Sequence, residues 1–150
     1  MKLKIPPIGV FLLFAGSMFL LAKYLPVGYF DFFGRTYLVV ALLTIAMLIG
    51  LISLFQFFRF RTTIDPRTPS KASKLVTGGL YQYSRNPMYL ALLLLLLAWG
   101  LYLGNAFNTL LAAGFVYYMN FFQILPEEEI LARKFGNAYH KYCVMVRRWF

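Results

Sequence analysis

The sequence predicts an all-α integral membrane protein, with four transmembrane helices and a C-terminal interfacial helical segment in one domain, residues 1–150. Three observations lead there. Of the 150 residues, 61% are hydrophobic and only 13% are charged, whereas a soluble domain averages about 45–50% apolar and about 25% charged. Mean hydropathy is +0.67. Four apolar runs hold no charged residue, and 13 of the 15 Lys and Arg residues fall on one side of a four-helix arrangement. Such a chain cannot keep a water-soluble surface, and its length is that of a single domain.

The first helix is expected over about 8–25. Lys2 and Lys4 precede it as they would a signal peptide, but Ala22-Lys23-Tyr24 is a poor cleavage site, so it reads as a retained helix. The second, about 37–58, has the length a bilayer requires. The third, about 86–103, is shorter. Asn86-Pro87 is a good helix start, because Asn caps and Pro fits the first turn. The amides of Met88, Tyr89 and Leu90 are then free to meet an anion. The same residues also read as an ordinary capped helix with Arg85 on lipid phosphates. Gly104-Asn105 turns the chain into the fourth helix, about 106–125.

The polar residues concentrate in a loop, 59–85, and a C-terminal segment, 126–150. Arg59, Arg61, Arg67, Lys71, Lys74 and Arg85 lie in the first, and Arg133, Lys134, Lys141, Arg147 and Arg148 in the second. The positive-inside rule makes this side cytoplasmic, with both termini there. A net charge of +10 then belongs against anionic headgroups rather than on nucleic acid. One Cys and one His cannot build a disulfide scaffold or a four-ligand zinc site, so no metal is expected. No ionisable residue lies within a span, which argues against a proton-coupled transporter.

Within the C-terminal segment, Pro126-Glu127-Glu128-Glu129 reads as a helix start, the acids complementing the macrodipole. Ile130, Leu131, Phe135, Ala138, Tyr139, Tyr142 and Val146 share one face of an interfacial segment, broken at Gly136. If the fourth helix instead continues across Pro126, then Tyr117, Asn120, Ile124, Glu127 and Glu128 fall within an arc of about 100°, with Gln123 at its border. That stripe reads equally as the lining of a pocket or as helix–helix hydrogen bonding.

LVTGGLYQYSRNPMYL (75–90), followed one hairpin later by EEEILARKFGNAYHKYCVMVRRW (127–149), resembles the isoprenylcysteine carboxyl methyltransferase and phospholipid methyltransferase group. That pattern is LVTxGxYxxxRHPxY, then EExxLxxxFGxxYxxYxxxVPR. Here Asn86 replaces the histidine and Arg147 the proline. The resemblance covers roughly the last 90 residues. It implies an integral membrane enzyme that takes a methyl group from S-adenosylmethionine and releases S-adenosylhomocysteine. The acceptor would be lipid-like or amphiphilic, and the site would lie at the cytoplasmic membrane face among membrane lipids. The cofactor contacts would fall on Lys74, Leu75, Val76, Tyr81, Asn86, Pro87, Met88, Tyr89, Glu127 and Glu128. The catalytic residues would be Arg85, Glu128 and Arg148. Prenylcysteine members carry arginine where this chain has Gln123. The competing reading is a non-catalytic four-helix membrane protein that binds lipid or a partner through its basic face.

Overall fold

The structure, a computed structural model, describes residues 5–26, 28–59 and 75–150. Lys74, expected among the cofactor contacts, lies outside the described residues, as do Lys2, Lys4, Arg61, Arg67 and Lys71. Among the described residues six α-helices follow one another: α1 Pro7–Tyr24, α2 Arg35–Arg59, α3 Pro87–Leu103, α4 Asn108–Tyr118, α5 Leu125–Phe135 and α6 Asn137–Met145.

Among the described residues three stretches are long and apolar enough to cross a membrane: Pro7–Tyr24, Arg35–Gln56 and Asn108–Phe135. Three of the four expected spans thus have the length, and the remaining one, α3, is a shorter apolar helix. At 1.5 Å per residue the 17 residues of α3 reach about 25 Å, short of a hydrocarbon core of about 30 Å. Its setting explains its composition. It packs against α1, α2 and α4, with Tyr89, Ala91, Leu96, Ala98 and Gly100 buried. A helix that is apolar all round belongs in such an interior position. By contrast, Leu12, Leu13, Leu48 and Leu51 on α1 and α2 are exposed, the surface that lipid tolerates.

The packing fixes directions. α1 runs parallel to α3, since the Trp99 indole donates to the Ala15 carbonyl at 3.1 Å and Asn105 Nδ2 donates to the Leu25 carbonyl at 3.0 Å. α2 runs antiparallel to α3, with Gly50 beside Ala91 and Gln56 Nε2 donating to Gly78 O at 3.4 Å. Phe14 of α1 meets Phe115 of α4 edge to face, 5.7 Å between centroids. Met18, Leu96, Phe115, Met119 and Ile124 fill the centre.

The fourth apolar run departs from expectation. It does not end at 125. Residues 108–135 form one 28-residue helix, in which Met119–Ile124 wind as a π-helix. The cause is Pro126. Its ring crowds the carbonyl four residues back and it offers no N–H. The Leu125 amide reaches back five residues to Asn120 O, and the widened turn absorbs the proline without a break. Glu127 and Glu128 therefore sit in mid-helix, not at a free N-terminus, and the macrodipole is not their role.

At the other end, the α1–α2 loop clasps the α3–α4 turn. Phe30 N donates to Gly104 O at 2.9 Å and Ala106 N to Gly28 O at 3.0 Å. Gly104 adopts φ +67°, and a Cβ there would lie 2.6 Å from Arg35 Nη1 and 3.1 Å from Phe30 O. Arg35, which donates to Phe30 O at 2.8 Å, starts α2 two residues before the expected boundary. Gly104→Ala combines left-handed strain with a contact to fixed backbone. It should cost about 1–3 kcal/mol, read as a lowered thermal midpoint of the detergent-solubilised protein; an unchanged midpoint refutes the turn.

Candidate active site

The two polar segments meet where α3 begins. The chain reaches α3 through a short 3-10 turn, Gly79–Gln82, which Gly79 opens with φ +63°. An added Cβ there would lie 1.5 Å from Gln56 Nε2 and push that amide aside, so it is the left-handed conformation that asks for glycine. Asn86 occupies the cap position of α3, but its side chain makes no capping bond. It donates instead to the Arg148 carbonyl at 3.0 Å, while the Asn86 amide donates to Ser84 Oγ at 3.2 Å. The Leu90 amide is not free as expected: it donates to Asn86 O at 3.0 Å, the first bond of the helix. Met88 and Tyr89 keep the first-turn donors.

Three polar side chains converge beneath this start. Tyr89 OH donates to Glu127 Oε1 at 2.5 Å, and Gln123 Nε2 donates to the same oxygen at 2.7 Å. Gln123 is 2% exposed. Glu127 Oε2 accepts no hydrogen bond among the described residues, and no described cation pairs with this carboxylate. Gln123, expected only at the border of the stripe, is at its centre. Tyr117, expected within it, is 62% exposed. The π turn accounts for the exchange: it adds a residue to the turn, rotating everything after it relative to everything before.

Glu128 faces elsewhere. Arg148 holds it with two bonds, Nε to Oε1 at 3.0 Å and Nη2 to Oε2 at 2.7 Å. Arg85 Nη2 lies 3.3 Å from Oε1, and its Nη1 donates to Cys143 Sγ. The carboxylate raises the Arg148 pKa above its ordinary value. Thus Arg85, Glu128 and Arg148 form one network, and it carries the tail. The Arg85 amide donates to Arg147 O at 3.0 Å, and the Trp149 indole donates to Asn120 Oδ1 at 3.1 Å. Arg147 itself is exposed, so the proline of the pattern is replaced without loss of this path.

A cap closes the end of the bundle. Val76, Tyr81, Tyr139, Tyr142 and Val146 are buried together, with Leu75, Leu131 and Phe135 packed on them. Gly136, at φ +52°, ψ −127°, ends α5 and turns α6 back. Tyr142 OH donates to the Tyr81 carbonyl at 2.7 Å. Burial pushes the Tyr81 phenol well above the usual tyrosine range; Tyr142 and then Glu127 push the same way. A groove of about 470 Å³ runs outside this cap, between Leu75, Thr77, Gln82 and one side of α6. Of the expected cofactor contacts only Leu75 lines it. Tyr81, Asn86, Pro87, Met88, Tyr89, Glu127 and Glu128 lie about the start of α3 instead. That polar cluster has the chemistry the groove lacks, and it is the stronger candidate.

The sequence model of a family described as phospholipid methyltransferase matches residues 34–138. The match runs from the start of α2 into α6 and stops short of the tail. An uncharacterized protein of Haemophilus influenzae is 52% identical over 62 residues, covering 41% of this chain and 98% of that protein. No solved structure matches.

Removing the charge of Glu128 strands two arginines, whereas removing Arg148 leaves Glu128 its second partner. Glu128→Gln should therefore loosen the tail more than Arg148→Ala. Limited trypsin digestion followed by intact mass should show the last residues lost faster in Glu128→Gln than in Arg148→Ala, and slowest in the wild type. The reverse order would contradict the network.

Proposed function

This chain belongs to the phospholipid methyltransferase family, and from that membership we propose that it transfers a methyl group from S-adenosylmethionine to a lipid-like or small amphiphilic acceptor at the cytoplasmic membrane face. The observation that carries the proposal is the cluster at the start of α3. Residues 84–89, 123–128 and 147–149, far apart in sequence, meet there around two carboxylates of unlike environment.

The residues suit the cofactor. A carboxylate with one oxygen held by Tyr89 and Gln123, and the other without a hydrogen bond among the described residues, matches an ammonium group or ribose hydroxyls. The Met88 and Tyr89 amides, at a helix N-terminus, match a carboxylate. The rings of Tyr81 and Tyr89 suit a cation. Bound there, S-adenosylmethionine supplies an electrophilic methyl group. What remains for the chain is alignment, at roughly 3–3.5 Å, and exclusion of water. We assign alignment to Tyr89, Gln123 and Glu127, and closure to the Arg85–Glu128–Arg148 network.

The acceptor's class follows from charge. Gln123 is neutral and cannot offer the bidentate fork that arginine gives a carboxylate. Arg85 and Arg148, the other candidates, are occupied by Glu128. An anionic carboxyl acceptor would enter beside Glu127 without a counter-charge, which a low-dielectric site penalises. A lipid amine meets no such penalty. It must shed a proton, and Glu127, whose described partners are neutral, is the acceptor at hand.

Two measurements test this reading. Calorimetry with S-adenosylhomocysteine should show Glu127→Ala binding roughly ten- to a hundredfold more weakly than wild type, the size of a charge-assisted hydrogen bond. Glu129→Ala, exposed on the far side of the helix, should bind almost unchanged. Equal losses would remove Glu127 from the site. Methyl transfer from labelled cofactor to lipid amines, but not to a farnesylated cysteine carboxylate, completes the test. Sidedness is separate. Reporter fusions at residues 1 and 150 should both read cytoplasmic and one at Gly104 should not; a C-terminus on the other face would place the cluster away from the cytoplasmic cofactor.

A further inference from the structure

The tail does more than cover the bundle end. After α6 the chain extends, Val146 at φ −124°, ψ 130°, and crosses the start of α3. Arg147 and Arg148 bond to residues 84–86 through their carbonyls. Trp149 then turns inward and packs against the central core. There its indole donates to Asn120 Oδ1, at 3.1 Å. Asn120 is a member of the π turn, and its carbonyl takes the five-residue bond from Leu125. The indole therefore grips the residue at which the helix changes register. That register decides whether Gln123 and Glu127 face Tyr89.

We propose that Trp149 is a positioning residue: by holding Asn120 it fixes the π turn, so that docking of the tail and assembly of the Tyr89–Gln123–Glu127 cluster are one event. This rests on the proposed function, in that the cluster is taken as the cofactor site. A π turn is rare and usually a single turn inside an α-helix; Pro126 calls for one here, and a contact from outside the helix fixes where it lies. Trp149 supplies it from a segment that carries its own counter-charges. A tail released by loss of the Arg148–Glu128 bonds withdraws that support and slackens the site together with its cover. A water-soluble ligand thereby gains a way in.

The test uses the full chain in detergent. The protein has two tryptophans, Trp99 and Trp149. Trp99 bonds to α1, so Trp99→Phe leaves Trp149 as the sole reporter. In that background S-adenosylhomocysteine should reduce iodide quenching of Trp149, as the tail tightens. Trp149→Phe keeps the ring and removes the N–H. It should weaken S-adenosylhomocysteine binding roughly three- to tenfold, the size of one hydrogen bond. Asn120→Ala should do the same. The double variant should be no weaker than the weaker single by more than about twofold, because both act through one contact. Losses that multiply, or an affinity unchanged in both singles with Trp149 quenching indifferent to ligand, overturn the proposal. A wild type that fails to bind S-adenosylhomocysteine overturns the proposed function itself, and the positioning role with it.

Discussion

A proline in the middle of a 28-residue helix is the constraint on which the rest of this structure turns. Pro126 in a regular helix interior would cost about 3 kcal/mol and kink or break it. The chain keeps the helix by widening the turn before it, and the Leu125 amide closes a five-residue ring on Asn120. The consequence is a change of phase. Up to the first residue of the widened turn, Phe115 and Met119 face the apolar core. From its far end on, Gln123 and Glu127 face Tyr89. With the widened turn removed, those side chains would rotate off α3. A local steric problem thus sets the direction of a polar cluster.

The bundle's asymmetry follows from what solvates it. Along α1 and α2 the exposed side chains are mostly apolar, and the charged residues of these helices, Lys23, Arg35 and Arg59, lie in their terminal turns. Polar groups gather at one end, where α3, surrounded by its neighbours, has its N-terminus. Buried charges there must satisfy one another, because an unpartnered ion in such a setting costs several kcal/mol. Glu128 with two arginines meets that condition. The network ties α3, α5 and the tail, so the closure of the bundle end and the pairing of charge are one arrangement.

Much of this was legible in the sequence, and the failures have definite causes. Apolar length and the clustering of basic residues locate the helices, because lipid demands continuous apolar runs. The Gly104 turn, the break at Gly136 and the buried face of Tyr139, Tyr142 and Val146 follow from residue type and spacing. The π turn does not, since a wheel drawn at 3.6 residues per turn assumes regular winding. That assumption put Tyr117 in the stripe and Gln123 at its edge. Pro126 was the available signal, and its reading as a helix start concealed it. The Asn86 side chain was likewise assigned to a cap. Only the tail's path, which no local pattern encodes, shows it spent on Arg148.

The adjacent glutamates show how a single helix divides two tasks. Successive residues point about 100° apart, so Glu127 faces α3 while Glu128 faces the tail. Glu128 is neutralised by two guanidinium groups and is committed to structure. Among the described residues Glu127 has a phenol and an amide, both neutral donors, and no cation to offset its charge. A carboxylate left in that condition in an apolar setting is stabilised by whatever cation arrives. An arginine at position 123 would have satisfied it internally. Glutamine keeps the hydrogen bond and leaves the charge. On the proposed reading, that substitution is what holds the site open to a cationic ligand and unfavourable to an anionic acceptor. The specificity then resides less in what Gln123 contacts than in the charge it withholds.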